Sequence, residues 1–405
     1  MDIKSINEKY ASLVLDFGLN LDKGRGVLIT TPISAYDFAL ELARQAYDRG
    51  AGYVHIKPET VLLDKYRSTC QTREQMAEIP GFIADMFKYI GENDWATISI
   101  DPVSSDNVKA ALDREGYDAY RSELLKVQKP WRDKAMCNQS PWCVVAYPDD
   151  FWSSMILGQD KKAVDLFERL LPILHLDSED PVAMWKKDSD NLQARRARLT
   201  KLGIESLHYT SSVTDLTIGL GRKAVFQGGS ADLPDGRWFN PNIPTAEVFT
   251  APDKYMAEGY VKTTRPVSVK GESTLGVTLT FRDGKVIDVK AEEGLDVMQR
   301  YLAKQGADRI GEVALVDESS PIAQAGLVFK SILYDENASC HIALGAGYPD
   351  CISSAIESEA DYEANHLNHS LEHTDFMIGS RDMDIEATTY DGKTVQIMRK
   401  GRFTI

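Results

Sequence analysis

Cysteine is sparse in this chain: Cys70, Cys137, Cys143, Cys340 and Cys351 are the whole supply among 405 residues. The number is odd and no pair has CxxC spacing, which fits free thiols in a reducing cytoplasm better than a disulfide framework or a zinc ribbon. Long apolar runs are missing too. Stretches such as Trp142 to Tyr147 stop far short of the roughly 18 residues that a membrane span needs. The first ten residues hold no apolar stretch of signal-peptide length, so a cytoplasmic location is expected. Positive charge is in deficit, with 46 Lys and Arg against 61 Asp and Glu and a net charge of −15. Such a surface repels phosphate backbones and anionic lipids, so neither nucleic acid nor membrane is an expected partner. No G-x-G-x-x-G or GxxxxGK[ST] follows a candidate strand, which removes the common nucleotide cradles.

The remaining composition, 43% hydrophobic and 26% charged, is enough for two domains with full cores. The first half alternates strand and helix patterns. Val27-Leu28-Ile29-Thr30, Tyr53-Val54-His55-Ile56, Ala96 to Ile100 and Cys143 to Tyr147 read as buried strands. Between the first two, Ala35, Phe38, Ala39, Leu42 and Ala46 have helical spacing, with Ser34 as expected N-cap and Gly50 placed to end the helix. Further helices are predicted over 107–127, 161–174 and 191–201. The last carries Arg195, Arg196 and Arg198, expected to form a solvated face. Strand, helix, strand at this spacing predicts right-handed crossovers and a mostly parallel sheet. After Gly203 the pattern changes to hairpins. Val277, Leu279 and Phe281 alternate up to Asp283-Gly284, and Ile385, Ala387 and Thr389 alternate up to Asp391-Gly392, each an expected type I′ turn. A helix over 295–305 ended by Gly306 interrupts the strands. The expected architecture is α/β plus α+β: residues 1–195 with a mostly parallel sheet, and a strand-rich domain over 196–405.

Histidine is scarce, yet four of the seven lie between His341 and His373. His373-Thr374-Asp375 sets an imidazole and a carboxylate at i and i+2, on one face of a strand. His341 opens an apolar strand pattern, His341 to Gly345. Three glutamates sit in apolar contexts: Glu247 ahead of Val248-Phe249, Glu312 ahead of Val313-Ala314-Leu315-Val316, and Glu336 five residues before His341. A carboxylate buried among core strands has to be paired, protonated or bound to metal. Histidines and carboxylates together suit a zinc, cobalt, manganese or iron ion. Of the other histidines, His55 and His175 are expected in the core, His366 and His369 in a solvated polar loop, and His208 beside a pocket.

The segments Asn242 to Pro252, Ile310 to Val316, Leu333 to Ala338, Cys340 to Gly345 and His373 to Ser380 together resemble the M29 metallo-aminopeptidases, the family of aminopeptidases T, II and S. The likeness extends to Lys9-Tyr10-Ala11-Ser12-Leu13 and so covers nearly the whole chain. It implies a two-metal site of Glu247, Glu312, Glu336, His341, His373 and Asp375, with Glu312 shared between the ions and Tyr348 in the active site. It also implies zinc, cobalt or magnesium as the metal, a homodimer, and substrates that are short peptides with a free N-terminus. Ala246 stands where glycine is expected and Gly347 where a larger small residue is common; both bear on the substrate pocket.

Two other readings use the same residues. His341, His373 and Asp375 alone form the two-histidine, one-carboxylate set of a non-haem iron ring-cleaving dioxygenase. A mononuclear site has no need of Glu247 and Glu312, however. A non-catalytic protein with a structural metal is the other alternative, and such sites are usually closed and often use thiolates. Cys340 adjoins His341, but on a strand it points to the opposite face. Since every candidate ligand follows residue 240, the first domain is expected to serve access control or assembly.

Overall fold

The computed structural model describes residues 2–101, 103 and 114–405. They form two compact units: the chain up to Lys186 together with Ser230–Ile243, and Lys187–Gly229 together with Pro244–Ile405. No helix among the described residues is long and apolar enough to cross a membrane.

The first unit is built on a five-stranded parallel sheet. Its strand order is Tyr53–Glu59, Gly26–Pro32, Ala96–Asp101, Trp142–Ala146, Asn242–Ile243. The central strands carry the apolar runs read from the sequence, and Val27, Leu28, Ile29, Ile98 and Val145 are buried. The fifth strand has only two residues, too few to show a period, and it returns to this unit from far along the chain. The Tyr36–Asp48 helix buries Phe38, Ala39, Leu42 and Ala46, and Gly50 follows it at a φ of 86°. That left-handed conformation is costly for any residue with a Cβ. Ser34 does not cap this helix. It lies in a 3-10 turn over Ile33–Ala35 and hydrogen-bonds Asp149 instead. The helix predicted over 107–127 is present from Arg114 and continues to Met136; residues 107–113 lie outside the described residues. The one predicted over 161–174 is helical only over Ala163–Leu170, after which the chain turns and His175 adopts a φ of 55°.

The second unit holds two large antiparallel sheets around one apolar core, beside a two-stranded one of Val267–Val269 and Glu272–Thr274. The larger has eight strands, in the order Lys285–Lys290, Thr278–Arg282, Ala257–Lys262, Thr214–Gly219, Ile204–Ser211, Asp384–Thr389, Thr394–Arg399, Arg402–Phe403. The smaller has four: Glu247–Thr250, Ile310–Val316, His341–Gly345 and His373–Met377. Leu207, Leu216, Ile218 and Ile385 from the first meet Val248, Val313, Leu315, Ile342, Leu344 and Phe376 from the second. Asp283 and Gly284 both have positive φ, the geometry a type I′ turn requires. At the second hairpin only Gly392 does, and the loop closes with the Thr389 N–H donating to the Lys393 carbonyl and the Lys393 N–H to the Thr389 hydroxyl. The Arg-rich helix spans Pro181–Leu202 and is not a bare solvated face. Arg195 stacks on the Phe403 ring at 4.0 Å, and Arg196 donates to Gln227.

Candidate metal centre

One face of the four-stranded sheet packs into the core, so the other presents the remaining side chains. Residues directly opposite in an antiparallel ladder share a face. Phe249, Ala314 and His341 form one such row, and Glu312, Ala343 and Asp375 the next. His373 stands opposite Gly345 and Glu247 opposite Val316 on the same side. Five of the six expected ligands therefore lie on one surface. Its central positions, Ala314 and Ala343, are small enough to leave the space above them to the longer carboxylates and imidazoles.

The Ile310–Val316 strand is buried on both faces, and a bulge between Ile310 and Glu312 changes its alternation. Ile310 pairs with Leu344 toward the core, while Glu312, two residues on, pairs with Ala343 on the opposite face. Gly311 occupies the bulge. A Cβ there would stand 2.3 Å from the carbonyl oxygens of Ala346 and Gly345, so no other residue fits.

The donor atoms fall into two groups. One atom each from Glu247, Glu312 and His341 lie within 4.8 Å of one another, and so do atoms of Glu312, His373 and Asp375. Glu312 belongs to both. The two histidines fall in different groups, which is not the arrangement of a mononuclear two-histidine, one-carboxylate site. Each imidazole is oriented from behind. His341 Nδ1 lies 3.0 Å from the Glu336 carbonyl oxygen, and His373 Nδ1 lies 2.8 Å from that of Ala346. A carbonyl can only accept, so Nδ1 carries the proton and Nε2 is turned toward the carboxylates. His341 Nε2 is 3.2 Å from Glu247 Oε2; His373 Nε2 is 3.3 Å from Glu312 and 3.5 Å from Asp375.

The charge balance of this face suits a cation. Burial by itself would lower the His341 pKa, but Glu247, Asp375 and Glu312 outweigh it and push it up to about 10. His373 is raised in the same way against burial, chiefly by Asp375. Burial raises Glu312 and lifts Glu336 well above the usual carboxylate range, and the neighbouring carboxylates add to both shifts. Asp375 is held low despite burial by His373 and His341. Glu247 Oε2 is buried and makes no hydrogen bond, although His341 Nε2 is near. An unpartnered buried carboxylate oxygen beside an imidazole nitrogen is what a shared metal ion would explain. The residues fit a divalent metal.

Glu336 comes from outside the sheet, at the end of the short Ile332–Glu336 helix; it belongs to neither three-donor group but is near enough to feel the charge of Asp375, Glu247 and His341. Tyr348 lies in the loop after the His341–Gly345 strand. Its ring meets Phe249 at 5.6 Å and His373 at 5.1 Å, both edge to face. Burial, then Glu312 and Asp375, push its phenol well above the usual value, so it keeps its proton at neutral pH. A Cβ on Gly347 would come within 2.4 Å of Leu367 Cδ1, so a larger residue there has to displace that side chain. Cys340 faces the core, with Sγ 3.7 Å from Met398 Sδ.

The remaining histidines are elsewhere. His55 is half-buried on its strand, and His175 packs against Trp185. His208 is half-buried and pairs with Asp215 at 2.8 Å. His366 is not merely solvated: its Nδ1 is 2.7 Å from the buried Asp253. His369 stacks on Tyr362. Two residues of this neighbourhood escaped the sequence reading, Phe249 and Asn337. The only signal for either was its place beside a candidate ligand.

Residues 4–403 match the family described as thermophilic metalloprotease (M29), and the chain belongs to that family. Among its relatives, Aminopeptidase 2 of Geobacillus stearothermophilus is 33% identical over 98% of this chain and 97% of its own length. Aminopeptidase T of Thermus thermophilus is 33% identical over 98% of each chain. The solved structure of wild-type AmpT from Thermus thermophilus superposes with a TM-score of 0.90 at 32% identity and covers all of both chains. The dioxygenase reading has no support among these relatives.

Proposed function

We infer that this protein is a metal-dependent aminopeptidase that removes the N-terminal residue from short peptides. The observation that carries the reading is the pair of three-donor groups joined by Glu312. In this reading, Glu247, Glu312, Glu336, His341, His373 and Asp375 would hold two divalent ions of the zinc, cobalt or magnesium class. When bound, such ions polarise the scissile carbonyl and lower the pKa of water.

The protein's own groups do the rest. Backbone carbonyls at Glu336 and Ala346 keep the Nδ1 protons of His341 and His373, so that each Nε2 presents a lone pair. Glu312, common to both donor groups, is held by the pairing of its strand with His341–Gly345 and would be shared between the ions. Tyr348 keeps its phenol proton and offers it to the oxygen that gains charge as the carbonyl carbon becomes tetrahedral. Positions that the six side chains leave open would take the substrate's free amine, which would limit cleavage to the first peptide bond. The family likeness supports a homodimer, and the five free thiols support a reducing cytoplasm. The first unit, which contributes none of the six ligands among its described residues, serves access control or assembly.

The test pairs metal analysis of the purified protein with a panel of amino-acid anilides and matched free and N-acetylated peptides. The expected result is bound divalent metal, release of single N-terminal residues, and no cleavage of acetylated peptides. Efficient cleavage of an acetylated peptide would overturn the exopeptidase reading.

A further inference from the structure

Asn337 directly follows Glu336, is fully buried, and joins two parts of the donor set. Its Oδ1 accepts the backbone N–H of Ala246, the residue before Glu247, at 2.7 Å. Its Nδ2 donates to the Leu333 carbonyl at 2.9 Å and to Glu336 Oε1 at 3.2 Å. Only one orientation of the amide satisfies all three contacts, since an N–H needs the oxygen and two acceptors need the NH₂. We propose that Asn337 is a positioning residue that aims the Glu336 carboxylate into the metal centre and ties it to the strand that carries Glu247. The proposal rests on the reading that Glu336 is a metal ligand.

Glu336 needs such a partner more than the other ligands do. The sheet ladder fixes Glu247, Glu312, His341, His373 and Asp375, whereas Glu336 hangs from the last turn of a five-residue helix. Other carboxylates face it and repel it. A donor on one of its oxygens offsets that repulsion and sets the plane of the carboxylate. The base of the helix is already pinned, because Asp335 accepts from the Phe329 and Lys330 N–H groups and pairs with Arg265 at 3.1 Å. Asn337 completes the hold on the other side of Glu336. Aspartate here keeps the acceptor for Ala246 but places an acceptor against Glu336. Leucine leaves the Ala246 N–H unpaired in a buried position.

The experiment strips metal from full-length protein and titrates it with cobalt(II) against a chromophoric chelator, recording the cobalt visible spectrum at each step. Wild type, Glu336→Ala and Asn337→Asp are compared, with the thermal unfolding of each metal-free protein. Glu336→Ala is expected to abolish one binding step. Asn337→Asp is expected to weaken that same step about 10–100-fold and alter its spectrum, leaving the other step within about threefold. The metal-free Asn337→Asp protein should unfold near the wild-type temperature, because the Ala246 contact survives. If Asn337→Asp does not fold, Asn337→Ser, which removes the donor without adding charge, is held to the same pattern. Wild-type binding at both steps, or equal weakening of both, overturns the positioning role. Two intact steps in Glu336→Ala overturn the ligand reading and this inference with it.

Discussion

The two units bury different things. In the first, the described residues include no buried carboxylate, imidazole, lysine or arginine; its buried polar groups are Asn7, Thr31, Gln45, Thr97, Ser140, Ser153, Ser230 and Asn240. The second buries Glu247, Asp253, Glu312, Asp335, His341 and Asp375. Neutral polar groups in a core are satisfied by one or two hydrogen bonds, whereas a buried charge needs a counter-charge. Asp335 has Arg265 and Asp253 has His366, both within reach in the fold. The four at the sheet face have one another, His373 and Glu336, a set with more carboxylates than imidazoles, and that is where the protein leaves charge for an ion to balance. Among its described residues the first unit keeps to core-building rules; the second departs from them at one place.

The contrast is broken most severely by removing metal. Chelation is expected to abolish peptide hydrolysis, and cobalt or zinc to restore it. Hydrogen exchange should rise in the 310–316 and 341–345 strands while the 26–32 and 96–101 strands stay protected, since a ligand bound only to the native state stabilises the part that binds it. Full activity after confirmed metal loss would sink the reading.

Glu312→Gln comes next. It alters the one residue common to both donor groups, so turnover should fall by more than the ~100-fold that loss of an outer partner costs. A variant that keeps both metals and near-normal turnover would make Glu312 an ordinary strand residue. Tyr348→Phe should lower kcat about 10²–10³-fold with metal content unchanged, as removal of one oxyanion donor does. Metal loss in that variant would assign the tyrosine to the ligand shell instead. The smallest effect on chemistry is expected from Leu166→Ala in the first unit. Leu166 is fully buried, so the change should cost roughly 2–5 kcal/mol of that unit's stability while metal content stays at two ions. Metal loss in Leu166→Ala would show that the two units are not separable in this way.

Much of this was legible in the sequence where local rules govern. The parallel strands of the first unit are apolar runs, and Asp283-Gly284 is a turn whose residues accept positive φ. Misreadings arose where a local rule had a distant competitor. Ser34 has N-cap chemistry but spends it on Asp149, 115 positions away by number. Asp391-Gly392 looks like Asp283-Gly284, yet the Thr389 hydroxyl binds the Asp391 carboxylate and the Lys393 backbone and draws the loop wider. At the site, His373 and Asp375 followed from strand periodicity. Glu312 did not, because alternation from Ile310 puts it in the core and only the Gly311 bulge turns it out. The His366–Asp253 pair spans 113 residues and left no mark on either local pattern.

The alanines on the site face have a consequence for tolerance to mutation. Ala343 lies between Glu312 and Asp375 in the ladder, and Ala314 between Phe249 and His341. By hydrophobicity and strand preference, valine or isoleucine ranks as a mild replacement in a buried strand. Here the added methyl groups would enter the volume kept for the donor atoms and whatever they hold. A saturation screen scored for activity should therefore invert the usual order at these two positions, with glycine and serine surviving and β-branched residues failing. The same screen at Val313 or Leu315, on the core face of the same strand, should give the ordinary order, so that neighbouring positions in one strand carry opposite signatures.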